Sequence, residues 1–254
     1  MQNPKNCFKS AIAGQRRQLG VWNTIGGNTV PELLGGAGFD WVLVDCEHAA
    51  IETIEVLPAL QAIGQTPATS AVVRVASNDA TLFKRVLDMG AQTVMVPYVQ
   101  TADEATAAVH AMRYGPQGMR GMAGMTRATR YGKIDNYYNE AEDDLCLIVQ
   151  VETLTGLENL DAIAKTDGVD AVFIGPADLS ASMGLRGQMT HVDVDAAVSD
   201  AIKRLVDLGV PAGVMALAPD VADRYLNLGA NFVAVAVDLV VLADAISHIR
   251  TRFN

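Results

Sequence analysis

Two carboxylates stand at matching places in this sequence. Glu152 closes the apolar run Leu145-Cys146-Leu147-Ile148-Val149-Gln150-Val151, and Asp178 follows the run Ala171-Val172-Phe173-Ile174 across the turn Gly175-Pro176-Ala177. Short apolar runs bounded by turn residues predict strands buried on both faces. A carboxylate at the exit of such a strand is placed where an α/β barrel gathers its active site. Two of them on neighbouring strands can hold one hard divalent cation through oxygen. Glu152 and Asp178 are therefore candidate metal ligands, with a helix cap or a buried polar network as the structural alternative.

Charged residues are scarce inside the apolar runs, so each one carries information. Arg74, within Val72-Val73-Arg74-Val75, is the only basic residue in any of them. A guanidinium there must meet an anion, either a protein carboxylate in an internal ion pair or the carboxylate or phosphate of a substrate. Asp45-Cys46-Glu47-His48 puts three ionisable groups in four residues at the end of another run. His48 is the candidate general acid–base, with Asp45 and Glu47 as acids that support it from behind. The turn Gly175-Pro176-Ala177 would offer the backbone N–H groups of Gly175 and Ala177 to a carboxylate or phosphate. All six lysines (Lys5, Lys9, Lys84, Lys133, Lys165, Lys203) lie outside the apolar runs. A Schiff-base mechanism needs a desolvated lysine on an inward-facing strand, so carbonyl chemistry here is expected to be metal-assisted.

These residues need a scaffold, and the chain supplies eight candidate strands: Gly20–Trp22, Trp41–Asp45, Ala71–Val75, Thr93–Val99, Leu145–Val151, Ala171–Ile174, Ala212–Leu217 and Phe232–Val237. Amphipathic segments such as Ala80–Met89 and Ala196–Leu208 lie between them. Gly38, Gly90, Gly168 and Gly229 each precede a strand by a few residues, a position suited to a left-handed helix cap. Strand–helix alternation predicts a parallel sheet, and eight units predict closure into a single α/β (β/α)8 barrel spanning residues 1–254. An open doubly wound sheet is the other topology, but no G-x-G-x-x-G follows the first strand. The segment 113–144 breaks the rhythm with Gly115-Pro116, Gly118, Gly121, Gly124 and the arginines 113, 120, 127 and 130. So long an irregular stretch predicts a functional or interface element.

Composition narrows the partners. The formal charge is −10, and half of the 254 residues are hydrophobic. Without a Lys/Arg-dense face, nucleic acid and anionic membranes are unfavourable partners. No apolar run approaches the ~18 residues of a membrane span, and residues 1–10 lack a signal-peptide pattern. Cys7, Cys46 and Cys146 are odd in number and lack metal-site spacing. Free thiols in a reducing, cytoplasmic setting are the expectation.

The blocks Gly20-Val21-Trp22, Gly38-Phe39-Asp40-Trp41 through His48, Val73-Arg74-Val75, Gln150-Val151-Glu152-Thr153 and Gly168 through Ser180 resemble the metal-dependent class II pyruvate aldolases of the 4-hydroxy-2-oxoheptanedioate and 2-dehydro-3-deoxyglucarate aldolase group. The likeness runs from about residue 8 to the C-terminus. It implies Mg, Mn or Co on Glu152 and Asp178, Arg74 gripping the 2-oxo acid, and His48 moving a proton. Trp22, Gln150, Gly175, Pro176 and Ala177 would then bind substrate. The implied reaction is reversible cleavage of a 4-hydroxy-2-oxo acid to pyruvate or hydroxypyruvate and an aldehyde. The resemblance also implies a homohexamer, in which Asp88, at the end of Ala80–Met89, faces the histidine of a neighbouring subunit. Cys46 and the residues Met122, Met125 and Thr129 depart from the usual pattern and bear on acceptor preference. Two competing readings are a malyl- or citryl-CoA type lyase and a barrel that binds without catalysing.

Overall fold

The computed structural model describes residues 1–253. Eight strands, β1 (Gln18–Asn23), β2 (Trp41–Asp45), β3 (Ser70–Arg74), β4 (Thr93–Val96), β5 (Cys146–Val151), β6 (Ala171–Ile174), β7 (Ala212–Met215) and β8 (Phe232–Val237), pair in sequence order. Each neighbouring pair is parallel, and β8 returns to β1 through pairs such as Gly20↔Ala234. That closing pair excludes the open sheet: the chain is a single (β/α)8 barrel with its helices outside.

Period 2 along each strand divides the apolar residues between two cores. Val21, Val44, Val73, Val94, Val149 and Ile174 face outward into the helix layer. Trp22, Leu43, Val72, Met95, Ile148 and Phe173 face inward and fill the barrel. Both faces are thereby buried, which is why the strands read as unbroken apolar runs. Phe8 and Ile12 of the helix Cys7–Ala13 join the inner cluster. Phe8, Trp41 and Phe232 meet edge to face with centroids 5.5–6.1 Å apart. Two glycines make room for this layer, since a Cβ at Gly20 would enter the Trp41 ring and one at Gly213 the ring of Phe232.

The strand ends differ from expectation where backbone chemistry intervenes. β4 stops at Val96 rather than Val99, because Pro97 cannot donate to the ladder and Tyr98 swings to φ 59°. β7 stops at Met215, and β1 reaches out to Gln18 and Asn23. The segment 113–144 is partly ordered by its own chemistry. Tyr114 bridges to Arg120, a short helix forms at Tyr137–Glu140, and Tyr114, Ile134, Tyr137 and Ala141 form a satellite core. The final helix, Asp238–Thr251, is different in kind. Only Asp238 is buried, while Leu239, Val241, Leu242, Ile246 and Ile249 are exposed.

Candidate active site

The inward parity that fills the barrel also carries polar residues to its C-terminal mouth. Trp22, Asp45, Arg74, Gln150 and Glu152 continue the inner face of β1, β2, β3 and β5, and all are buried. Asp45 and Arg74 are register partners on adjacent strands. The Arg74 fork is bidentate, with Nε donating to Asp45 Oδ1 at 2.9 Å and Nη2 to Oδ2 at 2.7 Å. Trp22 completes the seat: its Nε1 donates to Asp45 Oδ2 at 3.2 Å, and its ring lies 5.1 Å from the guanidinium carbon. Of the two partners expected for Arg74, the protein carboxylate is thus present, and it orients the remaining nitrogen.

That nitrogen, Nη1, lies 2.8 Å from Glu47 Oε2 and 3.4 Å from Gln150 Oε1. The Glu47 contact is an ion pair without hydrogen-bond alignment, so Oε2 keeps an unmet demand for a donor or cation. Gln150 passes the polarity on by donating through Nε2 to Glu152 Oε2. The other oxygen of Glu152 accepts the Tyr98 backbone N–H at 2.9 Å. Tyr98 was not anticipated from the sequence. Its one signal is Pro97, which ends β4 and lets the next residue turn its amide into the mouth.

Asp178 sits half-buried in the first turn of the helix Pro176–Ser182, and its charge acts on both Glu47 and Glu152. The turn before it works differently from expectation. The Gly175 N–H is taken by the carbonyl of Val151 at 3.1 Å and the Leu179 N–H by that of Gly175, so only the helix-start amides of Ala177 and Asp178 lack a helical acceptor. The contribution of Gly175 is space: a Cβ there would overlap Glu152 Oε2 and come within 2.9 Å of Gln150 Nε2. His48 stands at the rim, 60% exposed, with Nε2 at 3.5 Å from Glu47 Oε1. Asp88 is not gathered with these residues. It lies at the other end of the barrel, where Arg120 Nη2 donates to its Oδ1 at 2.9 Å. Arg120 is fully buried, stacks at 4.5 Å on Tyr114, and leaves Nε and Nη1 without acceptors.

Electrostatics separates the carboxylates. Burial alone would raise Asp45, but the Arg74 fork and the amides of Glu47 and His48 outweigh it and hold the acid below its ordinary value. Glu47 is raised, chiefly by burial, despite Arg74 and His48. Glu152 is pushed up to about 8 by burial and then by the charges of Glu47 and Asp178, against the Tyr98 amide and Arg74. The mouth thus holds more carboxylate than its one guanidinium neutralises. An all-oxygen donor set with excess negative charge fits a hard divalent cation. Among the described residues no three His, Cys, Asp or Glu side chains converge as a preformed metal cluster. Two carboxylates with substrate and water in the remaining positions is the arrangement Mg²⁺ commonly takes.

The family model for HpcH/HpaI aldolase/citrate lyase matches residues 18–245. The chain belongs to that family. It is 48% identical to a pyruvate aldolase of Rhizobium etli, over 100% of this chain and 99% of the relative. It is also 48% identical to a hydroxypyruvate/pyruvate aldolase of Sagittula stellata, over 96% of each chain. A crystal structure of an HpcH/HpaI aldolase/citrate lyase family protein from Burkholderia cenocepacia superposes with a TM-score of 0.94 at 35% identity, covering 98% of this chain and 99% of the other. Like these relatives, this family member is a carbon–carbon lyase of the aldolase type.

Proposed function

We propose that the protein catalyses reversible aldol cleavage of 4-hydroxy-2-oxo acids to pyruvate or hydroxypyruvate and an aldehyde. The observation that carries this reading is the Asp45-anchored Arg74, aimed at Glu47 and Gln150 beside Glu152, in a barrel whose strands contain no lysine. Glu152 and Asp178 would hold the divalent ion, Mg, Mn or Co. When bound, it supplies Lewis acidity that polarises the 2-oxo acid and makes its C3 protons acidic. Arg74 places positive charge where the enolate oxygen develops. Asp45 and Trp22 keep the guanidinium in place, and the Gln150 amide fixes the Glu152 carboxylate. The amides of Ala177 and Asp178, with Pro176 as the first helical residue, face the substrate carboxylate. His48, steadied by Glu47, moves the proton of the C4 hydroxyl. In keeping with the relatives' names, pyruvate and hydroxypyruvate are the donors to test first.

We further propose a homo-oligomer, a hexamer on the family resemblance, in which Asp88 meets the histidine of a neighbour. The exposed apolar side of Asp238–Thr251 supports assembly, and the Arg120 pair would hold the Asp88 carboxylate at the surface. The test of the reaction class is twofold. Chelation should abolish turnover and Mg²⁺ or Mn²⁺ restore it, while borohydride with pyruvate should trap no adduct. Full turnover in metal-free buffer, or a trapped lysine adduct, would sink the mechanism.

A further inference from the structure

A second cavity, of about 370 Å³, lies at the base of the barrel, where Ser70 and Thr93 begin β3 and β4. Its walls come from the N-terminal segment Asn3 to Cys7, the end of the helix Val56–Ile63, the turn at Gly90, and Arg127 with Arg130. The chain carries a formal charge of −10, yet Lys5, Arg127 and Arg130 line this cavity and no Asp or Glu does. Lys5 is spent on Asp144, 3.0 Å away. Among the described residues, Arg127 and Arg130 have no carboxylate at ion-pair distance.

The Arg127 guanidinium is held in place, and at Arg130 it is the backbone that is fixed while the side chain is exposed. Arg127 is half-buried and donates from Nη1 to the Met89 carbonyl at 2.8 Å, lying across Gly90 so closely that a Cβ there would stand 2.8 Å from the same nitrogen. Arg130 opens three successive left-handed residues, with φ of 51° at Arg130, 56° at Tyr131 and 79° at Gly132. Two of them are not glycine, a strained arrangement that persists only where its surroundings fix it. Thr126 and Thr129 do so, the Tyr131 N–H reaching the Thr126 carbonyl at 2.8 Å and the Gly132 N–H reaching Thr129 Oγ1 at 3.0 Å. A fixed guanidinium and a fixed backbone thus bring two like charges to one cavity wall, which among the described residues no Asp or Glu lines. Burial and the neighbouring Arg130 both disfavour the charged form of Arg127, and only Tyr131 works the other way.

We propose that this basal cavity binds a small anion carrying a phosphate or carboxylate group, gripped by the Arg127 and Arg130 guanidinium forks. Planar forks suit either group. The site is remote from the mouth of its own barrel and its readout is anion binding rather than turnover, so its failure would leave the aldolase reading untouched.

Thermal unfolding of the full-length, metal-free protein in a zwitterionic buffer tests it. Inorganic phosphate and succinate are titrated separately against sodium chloride at equal ionic strength. Phosphate, succinate or both should raise Tm saturably, by roughly 3–6 °C once the anion exceeds its Kd tenfold, and the better of the two identifies the group. Arg127→Gln should abolish the rise. Arg130→Asn, which tolerates a positive φ, provides a second variant should Arg127→Gln not fold, while Arg74→Lys should keep the full response. No rise with either anion overturns the proposal. So does a rise that survives Arg127→Gln and Arg130→Asn, or one that Arg74→Lys removes.

Discussion

The Arg74 guanidinium faces two ways at once, and its geometry separates the two sides. Nε and Nη2 are consumed by Asp45, and Nη1 alone reaches toward Glu47 and Gln150. A lysine ammonium keeps the charge but cannot satisfy both sides. Arg74→Lys should therefore lower kcat by roughly 10²–10³, the scale of a lost oxyanion donor, and steady-state kinetics with pyruvate will show it. A near-normal kcat would reduce Arg74 to a structural ion pair. Glu152 carries a separate expectation. Its folded value of about 8 lies above the ordinary 4.5, so the folded protein holds a proton there that the unfolded chain releases. The associated stability is fully present below 4.5 and is lost as pH rises through about 8. The metal-free protein should accordingly melt at a lower temperature at pH 9 than at pH 6, and Glu152→Gln should flatten that slope. An equal slope in the variant would place the titrating group elsewhere.

At the scale of elements, the mouth is assembled from strand ends whose inward parity is shared. β5 delivers Gln150 and then Glu152, and the step after β6 delivers Gly175 opposite them. Here a glycine serves a packing purpose rather than a conformational one, since its φ of −94° is open to any residue. Gly175→Ala would force the Glu152 and Gln150 side chains apart. We expect metal affinity to fall by about 10–100-fold, the range seen when the support of a ligand is disturbed, with far-UV circular dichroism unchanged. Calorimetric titration with Mn²⁺ at wild-type affinity would contradict this account. Pro97 and Tyr98 show the same logic from the other side: one ends β4, and the other's left-handed turn aims an amide at Glu152.

The whole molecule raises the question of Asp88 and His48, which lie at opposite ends of one barrel. His48 is exposed at the mouth, and Asp88 is held at the base by buried Arg120. Only a neighbouring copy could bring such residues together. If it does, His48→Ala should slow turnover by roughly 10²–10⁴-fold, and Asp88→Asn should give a milder defect of the same kind. Mixing subunits of the two variants should then recover part of the activity, measured after co-refolding. No recovery, or a fully active monomer, would leave Asp88 as the partner of Arg120 alone.

The sequence by itself determined the barrel and which of its charged residues reach the mouth. Eight apolar runs with glycine punctuation can close only if each strand is buried on both faces, and the few charges in or just after those runs then have nowhere to go but the mouth. Glu152, Arg74 and the Asp45–His48 block were legible for that reason. What the tertiary structure decided is what depends on parity and neighbours. A strand apolar on both sides carries no alternation to say which face points inward, so the Asp45 fork on Arg74 and the space at Gly175 could not be read along the chain. The rise of Glu152 needs Glu47 and Asp178 brought from other strands into a buried site. The Tyr98 amide and the course of the chain at Arg130 depend on single backbone dihedral angles, which the side-chain sequence constrains only weakly.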